Sequence, residues 1–82
     1  MAKTLYVGNL PWESTEEELE ELFSEKAVVE SVRIIRDRET GRSKGFGFVE
    51  VADEANLEEI IADTNGMLMG GRTLVVNEAK PR

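Results

Sequence analysis

The chain has 82 residues, 17 acidic against 10 basic, a formal net charge of −7, and neither histidine nor cysteine. That length suits a single domain over residues 1–82, near the lower limit for a core without staples, and the lack of cysteine excludes disulfides and thiolate metal sites. With the commonest general base, nucleophile and metal ligands missing, with apolar runs too short for a bilayer and no secretory region in Met1-Ala2-Lys3-Thr4, the expectation is a monomeric, cytoplasmic, non-catalytic protein with no cofactor or metal, no membrane and no small-molecule substrate.

Lys3 to Gly8 reads as a first strand, closed by Asn9-Leu10-Pro11. Ser14 or Thr15 then caps a helix, and Ser14 with Glu17 has capping-box spacing. Glu16, Glu17 and Glu18 fall in its first turn, where the helix dipole favours negative charge, and Leu19, Leu22 and Phe23 form an apolar stripe. Glu30 to Arg36 reads as a second strand with Val32 and Ile34 on one face and Arg33 and Ile35 on the other. Asp37 to Arg42 is a polar turn into a third strand, Lys44 to Val51. Asp53 opens a second helix with Leu57, Ile60, Ile61 and Thr64 at helical spacing, stopped by Asn65-Gly66. Met67 to Gly71 is a short turn or hairpin, and Arg72 to Glu78 a fourth strand.

The first and third strands carry their aromatics at alternate positions. Alternation puts Phe46 and Phe48 on one face of the third strand and Gly47, Val49 and Val51 on the other; in the first strand Tyr6 opposes Leu5 and Val7. The small and aliphatic side makes the better core, which leaves three rings toward water. Exposed aromatics on a rigid sheet are stacking surfaces for unpaired bases. The order βαββαβ, with short right-handed connections, favours an α+β, ferredoxin-like sandwich: a four-stranded antiparallel sheet with two helices on one face.

Lys44-Gly45-Phe46-Gly47-Phe48-Val49-Glu50-Val51 resembles the signature octamer of the RNA recognition motif, and Leu5 to Leu10 resembles that family's second signature. The pair stands in the family's order and separation, and the resemblance covers essentially the whole chain. Gly8-Asn9-Leu10-Pro11-Trp12 is most similar to the small bacterial and plant-organelle members. The resemblance implies single-stranded RNA as the partner, with single-stranded DNA bound more weakly, two to four nucleotides on the sheet, and the two signature strands as its central pair. By the same resemblance Tyr6 and Phe48 each stack a base, Phe46 lies against a ribose or between successive nucleotides, and Lys44 meets a phosphate unless it is a solvated charge or pairs with Glu50 or Asp37. Arg33 and Asn77 face the same side, and Lys80 and Arg82 are placed to reach over it after the last strand. Trp12 reads as a packing residue.

The chain departs from its relatives in two places. Val51 stands where they carry an aromatic, while Leu57 and Ile60 stand where many carry alanine, a pattern that conserves core volume. Lys26-Ala27 replaces their Phe-Gly after the first helix.

Charge is segregated by element: glutamates and aspartates crowd the two helices, while most basic residues fall on strands, the central loop and the C-terminus. Two other readings of the fold stand beside RNA binding: a protein-interaction module, and a redesigned scaffold with weak or no RNA binding. Members of the former kind often lack the platform aromatics, and this chain keeps all three.

Overall fold

A computed structural model describes residues 3–11, 13–36, 38–41 and 43–79. Strands β1 (Lys3–Gly8), β2 (Val29–Arg36), β3 (Ser43–Val51) and β6 (Val75–Glu78) form one antiparallel sheet in the order β2-β3-β1-β6. Helices α1 (Glu16–Ser24) and α2 (Leu57–Thr64) pack on the face that carries Leu5, Val7, Val49, Val51 and Val76, all of them fully buried. Leu19 and Phe23 of α1 and Leu57 and Ile60 of α2 complete that cluster. The expected ferredoxin-like sandwich is the fold observed, with β1 and β3 as the central pair.

Two glycines on β3 shape its contact with the neighbours. A Cβ on Gly47 would sit 2.5 Å from the Arg33 carbonyl oxygen, so the close approach of β2 requires a residue with no side chain. Gly45 has φ +90° and its carbonyl accepts from the Leu10 amide at 2.8 Å, beside a register shift between Ile34 and Arg36. A second shift, between Val29 and Ser31, lets both Val29 and Val32 reach the core despite their odd separation.

The structure sets several boundaries that the sequence reading left open or placed elsewhere. Of the two candidate caps of α1, Thr15 takes the role: the Ser14 amide donates to Pro11 O at 3.0 Å, which draws its side chain inside, 3 % exposed and without a hydrogen-bond partner. Thr15 Oγ1 accepts from the Glu18 amide at 3.2 Å and Glu18 Oε1 accepts from the Thr15 amide at 3.1 Å, a complete capping box one residue later than its twin. Helix α2 starts at Leu57, not Asp53, because Ala52 to Ala55 closes a turn (3.0 Å) and Asn56 takes the cap, its Oδ1 accepting from Glu59 N at 3.2 Å. The strand expected over Arg72 to Glu78 is divided. Arg72–Thr73 (β5) pairs with Leu68–Met69 (β4) through Gly70-Gly71, at φ +56° and +83°, a two-residue turn of the kind that suits twisted hairpins, and the buried Leu74 separates this hairpin from β6. Finally, α1 ends without a left-handed residue: the amides of Lys26 and Ala27 both donate to Phe23 O, at 2.9 and 3.0 Å, and Ala27 packs against the core.

Val51, Leu57 and Ile60 share one buried cluster, as volume compensation requires. Val51→Phe is therefore expected to destabilise by about 1–3 kcal/mol through overpacking, read as a lower midpoint in chemical denaturation. A clearly stabilised variant would show that no compensation exists.

Candidate nucleic-acid interface

The register of the sheet assembles its open face in rows. Tyr6 lies opposite Phe48 on one side and Asn77 on the other, and Phe48 lies opposite Arg33, so Arg33, Phe48, Tyr6 and Asn77 form one continuous line across four strands. The next row carries Phe46, Gly8 and Val75, and the preceding one Ser31, Glu50 and Thr4. Four of the seven residues singled out from sequence, Arg33, Phe48, Tyr6 and Asn77, thus stand in a single row, and Phe46 flanks it. Lys44 lies on β3, but its side chain is outside the described residues, as are Lys80, Arg82, Arg42, Asp37 and Trp12.

The three rings form a mutual cluster. Tyr6 and Phe46 stack with centroids 5.9 Å apart, Tyr6 and Phe48 meet edge-on at 6.0 Å, and Phe46 and Phe48 edge-on at 6.2 Å. Each is half-buried by its neighbours on the sheet, and none belongs to the core cluster or its packed margin. The Tyr6 ring lies over Gly8, where a Cβ would come within 2.8 Å of the phenol oxygen. Gly8 thus lets the ring rest flat along the strand. Each ring is half-exposed and contacts the other two.

Alternation also places residues here that the sequence reading left aside. Val75, 43 % exposed, extends the apolar strip past Gly8, and it sits two residues before Asn77. At the same end Asn9, in the left-handed region at φ 59°, donates through Nδ2 to Thr73 O at 2.7 Å, and Arg72 donates to Asn9 Oδ1 at 3.3 Å. That network ties the β4–β5 hairpin to the end of the platform and holds a guanidinium beside it.

The cations are unevenly placed. Lys3 donates to Ala55 O at 3.0 Å on the helix side; Lys26 pairs with Asp63 at 3.9 Å between the helices; Arg36 pairs with Glu16 at 2.8 Å. The Arg36 hydrogen bond holds the Glu16 carboxyl below its ordinary range. Both partners of that bond are well exposed, so its worth to folding is small. Among the described cations, Arg33 lies on the platform, Arg72 at its end, and Arg38 is exposed in the turn between β2 and β3.

Comparison with known proteins gives a consistent result. The RNA recognition motif family model matches residues 5–75. A chloroplastic 31 kDa ribonucleoprotein of Nicotiana sylvestris is 51% identical over 78 residues, 95% of this chain and 25% of that protein, so the chain spans about a quarter of that relative's length. Among solved structures, RNA Binding Protein PG1 superposes with a TM-score of 0.89 at 45% identity, covering 98% of this chain and 96% of that one. The Rna15 RRM with bound RNA (GU) superposes with a TM-score of 0.83 at 31% identity, over 95% and 83%.

The two faces of the sheet should respond differently to the same truncation. Phe48→Ala is expected to cost about 1–3 kcal/mol, the two ring–ring contacts it makes, whereas Phe23→Ala, fully buried, is expected to cost about 3–5 kcal/mol. Equal losses in thermal or denaturant melts would mean that Phe48 serves the core.

Proposed function

The chain belongs to the RNA recognition motif family, and from that premise we propose that it binds single-stranded RNA across the open face of its sheet. The observation that carries this reading is the unbroken row Arg33–Phe48–Tyr6–Asn77, with Phe46 beside it and both α1 and α2 packed on the opposite face. Tyr6 and Phe48 each stack one base, Phe46 packs against the intervening ribose, and Arg33 and Asn77 offer hydrogen-bonding groups at either end. Stacking contributes about 1–3 kcal/mol per base, enough with a few polar contacts for micromolar affinity. Single-stranded DNA binds the same rings, more weakly wherever the 2′-hydroxyl is contacted. No catalytic role is assigned, because the chain has no histidine or cysteine to act as base or nucleophile.

A titration with random-pool RNA at low salt tests this. Tyr6→Ala/Phe48→Ala is expected to weaken binding at least tenfold relative to wild type, on the order of the stacking lost. Undetectable binding by wild type, or equal binding by both proteins, would overturn the reading. The affinity should also fall only gently with salt, a log–log slope of about −2 or shallower, since few phosphates are met. A steep slope would move the weight of recognition from the rings to basic residues.

A further inference from the structure

One polar group on the platform has no part in stacking or in phosphate contact. Glu50 shares the face of Phe46 and Phe48 by strand parity, pairs with Thr4 on β1 and Ser31 on β2, and is exposed. Thr4, Ser31, Arg33, Phe48 and Glu50 line one shallow recess beside the Phe48 ring. Of the paired strand positions on that face among the described residues, Glu50 is the only carboxylate. A negative charge there opposes a polyanion unless it meets hydrogen-bond donors, and an ionised carboxylate only accepts.

We infer that Glu50 selects guanine as the base stacked on Phe48. This rests on the RNA-binding reading above and adds a specificity to it. Glu50 stands two residues along the strand from Phe48, about 7 Å, within the span of a stacked purine. Guanine presents N1–H and N2–H side by side, matching both carboxylate oxygens in a charge-assisted bidentate pair. Adenine and cytosine each offer one amino group next to a ring acceptor. Uracil offers a single N3–H flanked by two carbonyl oxygens that the carboxylate repels. Arg33, opposite Phe48 in the same recess, supplies donors for the guanine O6. The resulting order is guanine first, adenine and cytosine between, uracil last.

Fluorescence anisotropy with labelled UUGUU, UUAUU, UUCUU and UUUUU RNAs tests the inference. Wild type is expected to bind UUGUU about tenfold more tightly than UUUUU. Glu50→Gln, whose amide both donates and accepts, should narrow that ratio to about threefold or less without weakening UUUUU binding. Glu17→Gln on α1 removes the same charge far from the recess and should leave the ratio as in wild type. Wild-type binding to all four RNAs within twofold, or an undiminished ratio in Glu50→Gln, overturns the guanine assignment while RNA binding stands. Failure of wild type to bind any of the four overturns both.

Discussion

The pairing register of β1 with β3 is the constraint from which everything else follows. With Tyr6 opposite Phe48 and Leu5 opposite Val49, ring meets ring on one face and aliphatic meets aliphatic on the other. A slip of one residue on β3 would turn Phe46 and Phe48 toward the helices and Val49 and Val51 toward water, and a slip on β1 would exchange Tyr6 with Leu5 and Val7 in the same way. Several local features pin this register. Gly47 admits the β2 backbone where any side chain would strike the Arg33 carbonyl, and the Gly45 carbonyl takes the Leu10 amide just past the end of β1. On the outer side, the Asn65 Oδ1 receives the Val76 amide at 2.9 Å, fixing β6 against the end of α2. The same glycines that make the octamer recognisable are therefore packing requirements of the sheet, independent of any ligand.

Because Leu5, Val7, Val49, Val51, Phe23 and their partners close a core without help from the rings, stability and the proposed binding fall on opposite faces. The platform can then be half-exposed without leaving the fold short of buried apolar surface. Mutual contact among the three rings recovers part of what exposure forgoes and holds them in place before a ligand arrives, which lowers the ordering cost of binding.

The sequence made the two-faced strands, the apolar stripes of both helices and the order of elements legible, since each depends on local periodicity. Arg33 and Asn77 were readable as platform residues by the same parity. The helix caps were not decided locally: Ser14/Glu17 and Thr15/Glu18 have identical spacing, and only the inward turn of Ser14 at Pro11 chooses between them. The start of α2 was carried by Asn56 with Glu59 three residues on, a signal masked by the acidic pair Asp53-Glu54, which forms a turn instead. The Gly70-Gly71 pair marked the hairpin, but the break at Leu74 comes from the burial of its side chain, which strand propensity does not report. Glu50 and Val75 were within reach by counting two from Phe48 and Asn77. Sequence offered Glu50 only as an ion partner for Lys44, and Val75 as one more strand aliphatic.

The proposed binding of a polyanion by an acidic chain is reconciled by distance and screening. The glutamates of α1 and α2 lie on the layer opposite the rings, and their outward carboxylates stand roughly 15 Å from the sheet, given the width of a helix and its packing distance. At physiological ionic strength the screening length is about 8 Å, so that charge is largely invisible to a strand lying on the platform. At very low salt the screening length grows to about 30 Å and the helices repel the same strand. Counterion release and this repulsion act in opposite directions as salt is lowered, which flattens the salt dependence further than the small number of platform cations would alone. What remains on the platform is a set of contacts that salt barely touches: stacked rings, and hydrogen bonds to the edges of bases. For a chain with so little net attraction to phosphate, discrimination among bases becomes a large share of the total binding free energy.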